Sequence, residues 1–173
     1  MTDDDAVLKK QYEIIGEFVA KVNSLEFVIN SMLEQIIGQY TFEANKNITE
    51  EIIDHIEEQS IKIRINQIIL FLYMTKKENV EIQTIIIDLK EFASYYNKNI
   101  RNIRDFIAHN TLMVGPDIKK VVSSRRYKGK LDSMEMQEIQ KHTEQLGPKI
   151  DSLFKISEKI FGHFPTEILR ELS

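Results

Sequence analysis

Ile15-Gly16-Glu17-Phe18-Val19-Ala20-Lys21-Val22-Asn23-Ser24-Leu25-Glu26-Phe27-Val28-Ile29-Asn30-Ser31-Met32-Leu33-Glu34-Gln35-Ile36 decides the fold class. Within it Ile15, Phe18, Val22, Leu25, Ile29, Met32 and Ile36 recur alternately three and four residues apart. With 3.6 residues to a turn, that spacing lines one face of an α-helix. Val19, Val28 and Leu33 widen the stripe to the breadth that a bundle core takes. Gly38 and the polar run Glu43 to Asn47 predict the end of this helix.

Downstream the same period returns. Asn47 followed by Glu50 has the form of a capping box, which predicts a second helix carrying Ile52, Ile53, Ile56, Ile61, Ile65, Ile68, Ile69 and Leu72. Ile61-Lys62-Ile63-Arg64-Ile65 alternates as a strand would, but the helical register on both sides decides for helix. A third helix is predicted from near Val80 to about Ala108, with Ile86, Leu89, Phe92, Ala93, Tyr96, Ile100, Ile103 and Ile107 on its apolar face. Gly115-Pro116-Asp117 signals a turn, and Ile118 to Tyr127 is basic and β-branched, a short hairpin or an extended loop. Asp132 with Glu135 predicts the cap of a fourth helix, striped by Met136, Ile139, Thr143, Leu146, Ile150, Leu153, Ile160 and Phe164. Gly147-Pro148 falls inside that stripe and predicts a kink rather than an end, because the register survives it. Pro165 closes the helix before a short tail helix, Thr166 to Leu172. The chain thus reads as all-α: a single-domain four-helix bundle over 1–173 with a basic loop or short hairpin between helices three and four.

Composition narrows the function. There are no cysteines, so a disulfide framework and a thiolate zinc site are both out of reach. The acidic start Met1-Thr2-Asp3-Asp4-Asp5 lacks the basic and apolar regions of a secretory signal. No run approaches the length of a membrane span, and the expectation is a cytoplasmic protein with no membrane partner. The net charge of −4 conceals a segregation. Between Lys98 and Lys130 lie Lys98, Arg101, Arg104, Lys119, Lys120, Arg125, Arg126, Lys128 and Lys130, opposed only by Asp105 and Asp117. That segment carries +7 and the rest of the chain −11. One electropositive face on an acidic body suits an anionic ligand; a merely solvated basic loop would look the same from charge alone.

Helical bundles often hold di-iron sites through Glu-x-x-His pairs, but the residues three before the four histidines are Ile52, Phe106, Ile139 and Ile160. No metal and no cofactor are expected. The glycines are scattered, so there is no phosphate-cradling loop, and no serine sits in a nucleophile elbow. What remains is Arg101-Asn102-Ile103-Arg104-Asp105-Phe106-Ile107-Ala108-His109-Asn110. Arg101, Asp105 and His109 are four apart along the polar side of the third helix, so Asp105 could hydrogen-bond one imidazole nitrogen and fix its tautomer. Arg104 lies about 140° around an ideal helix from His109, and the two meet only if the last turn unwinds or a second copy packs alongside. A histidine and an arginine supply the parts for RNA transesterification: a base for the 2′-OH and a guanidinium for the phosphorane charge. The same residues also suit exposed pairs one turn apart and a favourable helix-terminal cation, which need no chemistry.

Arg104-Asp105-Phe106-Ile107-Ala108-His109 resembles the short motif of the HEPN superfamily: an arginine, a polar residue beside it, and a histidine four residues further on. Its place near the end of the third helix, before a loop and a last long helix, is also similar. The resemblance covers roughly residues 6–164 and implies a HEPN-like bundle that forms a homodimer, with two motif copies lining a cleft. It implies a metal-independent endoribonuclease of the toxin–antitoxin or phage-defence kind, with an antitoxin protein as a further partner. Arg104 would bind the scissile phosphate, His109 would act as acid or base, and Asp105 would orient or polarise. Arg101, Asn110, Lys119, Lys120, Arg125, Arg126 and Lys128 would hold RNA. Some members carry a tyrosine two residues after the histidine, the target of a modifying antitoxin; here Thr111 stands there. Glu26, beside the first helix's stripe, could face the motif or lie on the surface. Two other classes fit the same residues: a non-catalytic HEPN-like module that binds nucleotide, RNA or protein, and a plain helical dimerisation protein.

Overall fold

The computed structural model describes residues 3–41, 55, 59–76, 78–109, 112–114, 120–127 and 130–163, with backbone alone at 3–5, 7, 38–41, 109 and 112–132. The elements in chain order are α1 (Asp3–Thr41), α2 (Ile61–Lys76), α3 (Val80–Tyr95), a π-helical turn (Tyr96–Ile100), α4 (Arg101–His109), β1 (Leu112–Val114), β2 (Lys120–Tyr127), β3 (Lys130–Glu135) and α5 (Met136–His163). The chain is predominantly helical, and among the described residues no helix is long and apolar enough to cross a membrane. It divides into two compact units, Met1–Ser24 with Tyr95–Lys149 and Leu25–Ser94 with Ile150–Ser173.

Among the described residues, the core of the second unit comes from segments of α1, α2, α3 and α5. Leu25, Ile29, Met32 and Ile36 of α1 are sealed from solvent, as the stripe predicts. So are Ile65, Ile68 and Leu72 of α2, Ile82, Ile85 and Leu89 of α3, and Leu153 and Ile160 of α5. Each such side chain contributes about 1.5–3 kcal/mol when fully buried. Asn79 caps α3: its Oδ1 accepts the backbone N–H groups of Glu81 at 2.9 Å and Ile82 at 3.2 Å. This removes two of the donors that a helix start leaves without partners. Glu81, in the first turn, lies 3.0 Å from His163 Nε2 and 3.6 Å from Lys159 Nζ, which ties α3 to the end of α5.

Several sequence expectations change here. Helix α1 continues through Gly38 to Thr41. The second helix does not run unbroken into Leu72: Gln59 and Ser60 are non-helical, and α2 starts at Ile61. The alternating stretch at its start is nonetheless helical, with Ile61, Arg64 and Ile65 buried and Ile63 outside. Asn47 to Asp54, Ile56, Phe164, Pro165 and the tail helix lie outside the described residues.

In the first unit, Phe18 and Val22 of α1 are buried while Val19 is 37% exposed, so the stripe is narrower there than expected. Lys21 Nζ donates to the Thr143 carbonyl at 3.0 Å and pairs with Glu17 at 2.7 Å, joining α1 to α5. Met136, Ile139, Thr143 and Leu146 carry the α5 stripe, and the helix passes Gly147-Pro148 without ending. The basic stretch is neither a loop nor a lone hairpin but a three-stranded antiparallel meander in the order β1-β2-β3. Leu112 stands opposite Ser123 and Val114 opposite Val121; on the other side Lys120 pairs with Glu135 and Tyr127 with Lys130, with an irregularity between Val122 and Arg126. Asp132 and Glu135 therefore lie in β3, and the last long helix starts at Met136, directly after Glu135, rather than at Asp132.

Candidate nucleic-acid site

The site begins at the π turn. From Tyr96 to Ile100 the backbone takes a wider turn, and the Arg101 N–H reaches back five residues to the Tyr96 carbonyl. Asn99 Nδ2 donates to the Tyr95 carbonyl at 2.9 Å, so a side chain supports the wider turn. An extra residue per turn rotates the downstream helix by about one residue's worth relative to a plain α-helix. Accordingly Ile100, Ile103 and Phe106 are buried, whereas Ile107, expected in the stripe, is only half-buried. Tyr96 is core, as its place in the stripe predicts. Beside the turn, Lys149 Nζ sits 5.3 Å from the Tyr95 ring centre, and burial pushes the Tyr95 phenol above its ordinary pKa.

With Ile103 and Phe106 inward, the outer face of α4 carries Arg101, Asn102, Arg104 and Asp105. Asp105 stands between two arginines. Its Oδ1 accepts from Arg104 Nη1 at 3.2 Å and its Oδ2 lies 3.6 Å from Arg101 Nε. Arg101 Nη1 also donates to Asn97 Oδ1 at 3.4 Å, one turn back. The side chains are 57% exposed at Arg101, 39% at Arg104 and 42% at Asp105, so a ligand in solvent reaches all three. The Asp105 carboxylate, read from spacing as a partner for His109, is thus engaged by Arg104 and Arg101. The arginine–aspartate pairing one turn apart is the arrangement that spacing also predicted.

The other predicted site residues divide into two groups. Lys120, Arg125 and Arg126 follow one another along β2, the central strand of the meander, in the same unit as α4. The His109 side chain, Asn110, Lys119 and Lys128 lie outside the described residues. Glu26 belongs to the second unit, whereas the motif lies in the first. It lies 3.8 Å from Arg64 Nη2. Arg64 also donates through Nη1 to Asn30 Oδ1 and is 4% exposed. Sequence reading passed over this buried cation; an arginine on the inward side of an isoleucine-rich helix is the signal that could have found it. His163, whose Ile160 three residues earlier rules out a Glu-x-x-His pair, lies 3.0 Å from Glu81.

Among the described residues no group of three or more His, Asp or Glu is placed to hold a metal ion. A hollow of about 130 Å³ opens between α1 and α5 in the first unit. Glu13, Glu17 and Glu144 line it beside Lys10, so it repels a phosphate. No family model matches the chain, and neither a curated protein nor a solved structure matches it.

Proposed function

We propose that the chain is a HEPN-like, metal-independent endoribonuclease that works as a homodimer and cuts RNA by attack of the 2′-OH on the adjacent phosphate. The observation that carries this reading is the outer face of α4, where Arg104 and Arg101 stand exposed within the unit that holds the +7 segment. In the proposal Arg104 takes the scissile phosphate, whose extra negative charge in the transition state a guanidinium stabilises by charge-assisted hydrogen bonds. His109, five residues on, moves the proton, and Asp105, the polar residue of the motif, orients or polarises. Arg101, Asn110, Lys119, Lys120, Arg125, Arg126 and Lys128 follow the RNA backbone, which attracts cations whatever its sequence. The cellular role proposed with it is that of a toxin or defence effector held in check by an antitoxin protein in the cytoplasm.

One observation favours a second reading, a non-catalytic HEPN-like module that binds RNA, a nucleotide or a protein partner: Arg104 and Arg101 are both already engaged by Asp105. RNA cleavage in EDTA separates the two. Wild-type protein is expected to cut, and His109→Ala and Arg104→Ala to lose cutting by two orders of magnitude or more while staying folded dimers. RNA binding by the wild type with no cleavage by any of the three would establish the binding module instead.

A further inference from the structure

Resting on the RNA-binding reading of this site, we propose that Asp105 is a tethered competitor for phosphate: it occupies Arg104 and Arg101 in the unliganded protein, and RNA must displace it. The carboxylate presents one oxygen to each arginine, at 3.2 Å and 3.6 Å, as two oxygens of a bound phosphate would. Being covalently attached, it never leaves the neighbourhood of the two guanidinium groups. Both contacts are open to solvent, where an ion pair is weak and easily exchanged. An RNA phosphodiester carries one negative charge, as the carboxylate does, so a single phosphate gains little by the exchange and far less than an arginine pair without a competitor would give. Asn97 holds Arg101 from the other side at 3.4 Å and keeps the pair in place for either anion.

Such a competitor selects by length. A mononucleotide gains only the margin of phosphate over carboxylate. A longer strand adds contacts with the other cations of the basic segment and overcomes the competition. Asp105 is thus a positioning and specificity residue that acts through Arg104 and Arg101. It favours RNA chains over the abundant free nucleotides.

Binding of AMP and of a single-stranded oligouridylate about twenty nucleotides long, to wild type and Asp105→Asn, tests this. The variant is expected to bind both roughly two- to tenfold more tightly at low salt, with the larger factor for AMP. Its salt dependence should steepen, because more counter-ions are released. The gain should vanish in an Arg101→Gln/Arg104→Gln background, in a double-mutant comparison. A gain that persists without the arginines would reduce Asp105 to one more negative charge and overturn the proposal. So would unchanged or weaker binding by Asp105→Asn, as expected if the carboxylate only orients the arginines. Cleavage plays no part in this readout. Tighter binding without turnover leaves the competitor standing and removes the ribonuclease, whereas no RNA binding by any variant removes both.

Discussion

Arg64 in α2 and Arg104 in α4 are the same residue in opposite surroundings. Arg64 is 4% exposed, hydrogen-bonded to Asn30 and 3.8 Å from Glu26. Arg104 is 39% exposed and 3.2 Å from Asp105. Both have a carboxylate partner, so contacts alone would rank them alike. Burial separates them. A buried cation without its partners costs several kcal/mol, whereas an exposed pair contributes between nothing and about 1 kcal/mol. The first arginine belongs to folding, and the second is open to use by something in solvent.

Substitutions can break that contrast. Arg64→Ala is expected to have the largest effect, about 2–4 kcal/mol of lost stability in denaturant unfolding, because a buried side chain with its hydrogen bond to Asn30 and its ion pair with Glu26 is removed. The double variant Arg64→Met/Asn30→Leu should recover most of the loss, since an apolar replacement of similar volume leaves little polar surface stranded. Failure of that recovery would mean that the charge itself is required. Asn79→Ala comes next, at about 1 kcal/mol, the ordinary value of a helix cap. It is the internal standard for a purely structural side chain: it should leave RNA binding alone. Arg104→Ala should shift stability least, by under about 0.5 kcal/mol. A loss as large as that of Arg64→Ala would erase the distinction and move Arg104 to the structural side.

The helices were legible because burial repeats: apart from Val19, the described residues of the α1 and α5 stripes are buried as their spacing predicts, down to Thr143 among apolar neighbours. Three features were not, each for its own reason. The π turn at Tyr96–Ile100 changes the period itself, so a fixed 3.6 count chose Ile107 where Phe106 is buried. Strand β3 was missed because Asp132 and Glu135 have the local form of a helix start, and only pairing with β2 makes 130–135 a strand that delays the helix to Met136. Arg64 was passed over because its partners, Glu26 and Asn30, are distant in sequence. At the candidate site, the polar face of α4 and the pairing of Arg101 with Asp105 were readable from their spacing. That Asp105 also engages Arg104 was not, because neighbours along a helix do not ordinarily face one another.

The division of the chain has a consequence for synthesis. The first unit joins Met1–Ser24 to Tyr95–Lys149, so the whole of 25–94 is made before the opening stretch meets its packing partners. Phe18 and Val22 are made early, and the unit they belong to is completed late. The meander is the opposite case, since each strand pairs with its nearest neighbour along the chain and closes only short loops. On the ribosome the N-terminal end of α1 is the part that waits, an apolar helix face open to chaperones or to aggregation until the basic segment and α5 emerge.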